Sequence, residues 1–111
     1  NIGLITAYSN DLSYNEVFSE QVKNLLHEGD LLITLSGSGN SENVVKATNV
    51  ANEMKVNTLA ICGYDGGKLK QVSRNSVWIR SNDMQLCEDA QTVFGHMVMK
   101  SLCGEDLFVS E

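Results

Sequence analysis

Proline is absent from these 111 residues, so no proline-rich linker divides the chain. The three cysteines, Cys62, Cys87 and Cys103, are odd in number and none stands in a C-x-x-C pair, a usage that fits a reducing compartment rather than a disulfide framework. No apolar run reaches the length of a bilayer span, and no signal-type segment opens the chain. Together these absences predict a cytoplasmic protein with no membrane partner. Basic residues are also few: eight Lys and Arg, scattered, against fourteen Asp and Glu, for a net charge of −6. A nucleic-acid surface needs clustered cations, so a nucleic-acid partner is excluded on the same count. A start methionine is lacking too, and Asn1 opens directly on Ile2-Gly3-Leu4-Ile5, as though the chain began inside a domain. With 42% hydrophobic residues the chain can bury one core, and a single domain over residues 1–111, its N-terminal portion missing, is the expectation.

What is present is concentrated in Leu32-Ile33-Thr34-Leu35-Ser36-Gly37-Ser38-Gly39-Asn40-Ser41, where an apolar strand runs into three hydroxyls and two glycines before a helix begins. Glycines let a backbone turn sharply and approach an anion, and the unpaired amides of a first helical turn point at it with the helix dipole behind them. Ser36, Gly37, Ser38 and Ser41 are therefore candidates to hold a small phosphate ester. The loop contains no lysine or arginine and matches neither G-x-x-x-x-G-K-[ST] nor G-x-G-x-x-G, which counts against a nucleotide. The competing reading is an empty turn in which Ser41 does no more than cap the helix.

Leu31–Leu35 and Thr58–Cys62 have the continuous apolar character of parallel strands covered on both faces. Between them 41–54 traces a helix with Val44, Val45, Ala47, Thr48, Val50, Ala51 and Met54 inward, and Glu42, Asn43, Lys46, Asn49, Asn52 and Glu53 outward. This is a right-handed βαβ unit. The pattern predicts a third strand over 76–80, a short helix over 67–72, and helices over 14–26 and 84–102. The segment 2–8 fits either a strand or a helix. Cys62 is expected as a buried small hydrophobe, and His27 as a solvated residue at a helix end. His96, amid Val93, Phe94, Met97, Val98 and Leu102, fits a packed interface residue as well as a chemical one.

Four segments carry a resemblance. Thr6-Ala7-Tyr8-Ser9-Asn10-Asp11, with Tyr14 and Glu16-Val17-Phe18, is similar to T-A-x-x-N-D…F/Y-x-x-x-F. Gly29-Asp30-Leu31-Leu32-Ile33 through Ser36-Gly37-Ser38-Gly39-Asn40-Ser41 and Asn43-Val44 resembles G-D-V-L-I-x-x-S-T-S-G-N-S-x-N-V. The stretch 63–67 is similar to T-G-x-D-G-G with Cys62 for threonine, and Asn82-Asp83-Met84-Gln85 through Glu88-Asp89-Ala90 and Gly95-His96 resembles D-T-Q-R-I-Q-E-x-H-x-x-x-G-H. These are motifs of the sugar isomerase (SIS) family, in its phosphoheptose isomerase branch.

The resemblance implies a three-layer αβα sandwich around a parallel, flavodoxin-like sheet, and a helix for 2–8. It implies a homotetramer with active sites between subunits. The implied enzyme is an isomerase of the aldose-ketose type, converting sedoheptulose 7-phosphate to a heptose 7-phosphate for surface polysaccharide (lipopolysaccharide or capsule) precursors. By position Asn10, Asp11, Ser36, Gly37, Ser38, Ser41 and Glu88 match substrate contacts, His96 the catalytic histidine, and His96 and Glu88 ligands of one zinc per site. Glu88 replaces a glutamine, Gln91 a histidine and Leu86 an arginine. The family's first glycine-rich turn, and the helix after it that bears a further histidine and glutamate metal ligand, match nothing here. The alternative function is a non-catalytic SIS protein that binds phosphosugars or regulates replication initiation.

Overall fold

The computed structural model describes residues 1–105. The elements are α1 (Ile2–Asp11), a 3₁₀ turn at Tyr14–Glu16, α2 (Ser19–Leu25), β1 (Leu31–Ser36), α3 (Glu42–Glu53), β2 (Asn57–Cys62), α4 (Gly67–Val72), β3 (Asn75–Trp78) and α5 (Met84–Leu102). The strands form one parallel sheet in the order β1-β2-β3, with Ile33 opposite Leu59 and Ile61 opposite Val77. Both crossovers are helical, so α3 and α4 lie on one face, where Val22, Ala47, Ala51 and Val56 form a core against Phe18, Leu26, Leu32, Val50 and Met54. The chain is thus α/β with helices flanking a parallel sheet.

Four expectations need correction. The helix over 14–26 is broken: the Ser19 hydroxyl donates to the Glu16 carbonyl (3.2 Å) and to its carboxylate (2.8 Å), offering the backbone an alternative to the helical ladder. The third strand is Asn75–Trp78 rather than 76–80. Asn43, assigned to the wet side of α3, is 7% exposed, its side-chain oxygen accepting from Val44 N–H at 2.9 Å. The sheet, finally, is not covered throughout: Leu31, Ile33 and Leu35 on one face of β1 are each more than half exposed. On that face α5 covers part of β2, with Gln91 Nε2 donating to the Ile61 carbonyl at 3.4 Å over a buried Ile61.

Polar bonds pin α4 and the first helices to this frame. Thr58 Oγ1 donates to Asn52 Oδ1 (3.0 Å) and accepts from Arg74 N–H (2.9 Å), while Asn52 Nδ2 donates to the Val72 carbonyl at 2.8 Å. Glu16 pairs with Lys46 of α3, and the Lys46 and Ser19 hydrogen bonds hold its carboxyl below the ordinary carboxylate range. A depressed carboxyl stabilises the fold fully above its unfolded pKa, and that share is lost as pH falls through the folded value. Lys46→Ala should therefore flatten the acid side of the melting-temperature profile, and a profile parallel to wild type would refute the pairing.

Candidate functional site

The loop joining β1 to α3 sits at the carboxyl end of the sheet, where open parallel sheets bind ligands. Ser36, 8% exposed at the last position of β1, has its hydroxyl 3.1 Å from that of Ser41. Ser41 occupies the N-cap position of α3, and its carbonyl accepts from Val44 and Val45 (3.1 and 3.0 Å), but its hydroxyl does not cap the helix. The amides of Glu42 and Asn43 have no acceptor among the described residues. Glu42 turns its carboxylate to Asn15 Nδ2 at 3.1 Å instead of folding back over these amides. The Ser36 and Ser41 hydroxyls thus lie together at the open first turn of α3, while the Ser38 hydroxyl, two residues along the loop, accepts from Asn40 N–H at 3.2 Å.

The corner is built by close backbone approach. Gly39 has φ +69, and a Cβ there would lie 2.6 Å from the Gly66 carbonyl carbon; one on Gly67 would lie 2.6 Å from the carbonyl of Gly39. Gly63 N–H donates to the Gly37 carbonyl at 2.8 Å, and Leu69 N–H to that of Gly39 at 2.9 Å. The Met84 thioether lies directly against Gly37, and the Cys87 thiol against Gly63. Cys62 is fully buried beside it, and burial pushes its thiol pKa up, as expected of an inert small hydrophobe.

The remaining candidates lie on α1 and α5. Asn10 and Asp11, both exposed at the end of α1, bond to each other (Nδ2 to Oδ1, 2.9 Å). Glu88 and His96 are exposed on α5. Met84 touches Gly37, and His96 lies twelve residues further along the same helix, about 18 Å at 1.5 Å per residue. Within one copy, His96 is carried away from the loop. Glu88 and His96 are about 12 Å apart along the axis, so one ion between them needs both side chains at full reach. Among the described residues no three His, Cys, Asp or Glu side chains are grouped to hold a metal. A carboxylate and an imidazole suit zinc as donors, but two fall short of the usual three or four, so these residues alone do not make a metal site.

Some of the site carries no motif signal. The Met84 contact depends on how α5 meets the loop, which no spacing encodes. Trp78 donates through Nε1 to the Tyr64 carbonyl (3.0 Å), with Lys70 Nζ 3.3 Å from its ring centroid and Arg80 4.9 Å.

The class is that of a parallel α/β domain with a serine-glycine loop at the carboxyl end of its sheet, opening onto a helix N-terminus. The chain belongs to the SIS domain family, whose model matches residues 3–63. It is 37% identical over 101 residues to the phosphoheptose isomerase of Aliarcobacter butzleri, covering 91% of this chain and 53% of that protein. It is 38% identical to the Helicobacter pylori phosphoheptose isomerase over 97 residues, covering 87% and 50%. The solved phosphoheptose isomerase of Neisseria gonorrhoeae superposes with a TM-score of 0.85 at 30% identity, over 87% of this chain and 55% of that one. The Francisella tularensis structure gives 0.84 at 25%, over 87% and 52%. The chain spans about half the length of the relatives it matches.

Proposed function

We propose that this chain carries the phosphate-binding part of a sugar-phosphate isomerase site, acting on sedoheptulose 7-phosphate to give the aldose phosphate used in surface polysaccharide precursors. The observation that carries the reading is the corner formed by Ser36, Ser38 and Ser41 with the acceptor-free amides of Glu42 and Asn43. Hydroxyls and oriented amides hold a phosphate dianion without a lysine, because each N–H or O–H aimed at a charged oxygen makes a strong hydrogen bond. The relatives named phosphoheptose isomerase supply the substrate class.

Aldose-ketose interconversion takes a proton from the carbon next to a carbonyl and returns it one carbon along. In this reading the loop fixes the phosphate end, Asn10, Asp11 and Glu88 contact the sugar, and His96 moves the proton. The helical distance between His96 and the loop implies that His96 serves the loop of a neighbouring copy. The exposed Leu86, Val93, Met97, Val98 and Leu102 of α5 favour association through that helix, in a homotetramer with sites between subunits. Glu88 and His96 are proposed as zinc ligands only together with donors the described residues lack; when bound, the ion would polarise both substrate oxygens as a Lewis acid. A cytoplasmic location accords with a small anionic substrate, and no described helix is long and apolar enough to cross a membrane.

The intact protein, given sedoheptulose 7-phosphate and zinc, should form aldose phosphate. Ser36→Ala and Ser38→Ala should each raise KM about tenfold with kcat nearly unchanged, the signature of a lost uniform binding contact. Phosphate binding without turnover would instead favour the non-catalytic phosphosugar-binding reading. An unaltered KM in both variants would remove the loop from the site.

A further inference from the structure

Asn40 is exposed and lies between two serines of the loop, yet the sequence pattern gives it no task of its own. Its side chain makes two hydrogen bonds: Nδ2 donates to the Ser38 carbonyl (3.1 Å), and Oδ1 accepts from Lys68 N–H in the first turn of α4 (3.1 Å). Its own backbone N–H donates to Ser38 Oγ at 3.2 Å. Ser38 is thus gripped at both its carbonyl and its hydroxyl by one residue.

The Lys68 bond has a second effect. The opening amides of α4 are all committed: Gly67 N–H to Asp65 Oδ1 (3.0 Å), Lys68 N–H to Asn40, Leu69 N–H to the Gly39 carbonyl (2.9 Å), and Lys70 N–H to the Gly66 carbonyl (3.1 Å). Two of these four acceptors belong to the β1–α3 loop. α4 is therefore capped from outside itself, and an anion at the carboxyl end of the sheet finds open amides on α3 but not on α4.

We propose that Asn40 is a positioning residue that orients the Ser38 hydroxyl and fastens the phosphate loop to the α4 turn, directing the phosphate to α3. This rests on the phosphate-loop reading above. Asn40 touches no reacting atom in this account; it acts through Ser38. Losing its side chain leaves the Ser38 hydroxyl with one anchoring N–H whose own position has loosened.

The test is a double-mutant cycle in the intact protein, read by KM for sedoheptulose 7-phosphate and by competitive inhibition with inorganic phosphate. Asn40→Ala should raise both constants about tenfold, roughly the worth of one or two hydrogen bonds, with kcat changed less than threefold. In a Ser38→Ala background the same change should add less than threefold, because the group it positions is already gone. A merely structural role predicts effects that multiply, and that result would overturn the proposal. Asn40→Ser removes the amide donor to the Ser38 carbonyl without adding charge beside the phosphate, so it should fold like wild type and still show the non-multiplying pattern. Asn40→Ser serves where the alanine variant does not fold, and multiplying effects in either variant refute the assignment. If phosphate does not inhibit wild type and Ser38→Ala is silent, the phosphate loop itself fails. If Ser38→Ala weakens binding while both Asn40 variants leave it unchanged, only the role of Asn40 falls.

Discussion

Replacing His96 with alanine is expected to lower turnover of sedoheptulose 7-phosphate by about 10²–10⁴, the range for removing a general acid or base, while inhibition by inorganic phosphate stays at the wild-type level. The separation of the two effects follows from position. His96 is exposed on α5, about 18 Å along the helix from the residue lying on Gly37, so the loop of its own copy does not feel its loss. A second experiment reads the same geometry. At substrate well below the raised KM of a chain carrying Ser36→Ala and Ser38→Ala, co-expressing that chain with His96→Ala should give more activity than the two variants assembled separately, because mixed assemblies contain sites that pair an intact histidine with an intact loop. Turnover within a few-fold of wild type in His96→Ala would refute the catalytic role. Absence of any gain would refute the shared site.

Gly39→Ala is expected to be strongly disruptive, lowering stability by about 2–4 kcal/mol and raising KM for the sugar phosphate steeply. Two penalties coincide there. The backbone is left-handed at φ +69, and the added carbon would press on the Gly66 carbonyl, a backbone group with no rotamer to escape into. Gly29 separates the two: at φ +100 it shares the unfavourable backbone, but a Cβ there meets nothing within 4 Å. Gly29→Ala should therefore cost only the conformational strain, about 1–2 kcal/mol, and leave KM unaltered. Thermal melts and steady-state kinetics of both variants decide the matter. Equal losses in the two would mean that the β1–α3 and β2–α4 loops are not in contact as described.

Much of the fold was legible because its signals are local. The apolar runs at 31–35 and 58–62 form the paired parallel strands β1 and β2, and the face Ala47, Thr48, Ala51 that the period of α3 turns inward is the buried one. The place of the serines and glycines between a strand and a helix was legible for the same reason, since they lie within one short stretch. The misreadings came from tertiary terms. Asn43 looks solvent-facing by residue type, yet its position in the first turn of α3 places it under the neighbouring elements. Continuous apolarity in β1 suggests two covered faces, whereas Leu31, Ile33 and Leu35 show only that one face is compatible with cover. The match of Glu88 and His96 to motif positions says nothing of their separation along the axis of α5, which limits what two side chains can share. Asn40 lies inside the quoted loop motif, and its partner Lys68 is 28 residues away, a pairing that no local spacing reveals.

Interlocked glycines at the carboxyl end of the sheet also have a mechanical meaning. The start of α4 is tied to the loop by the Gly39 carbonyl and Asn40, so the loop and α4 share one hydrogen-bonded joint. Lys70 of α4 rests over the indole of Trp78 on the far edge strand, so an unbroken run of contacts leads from the end of β1, through one short helix, to the opposite margin of the sheet.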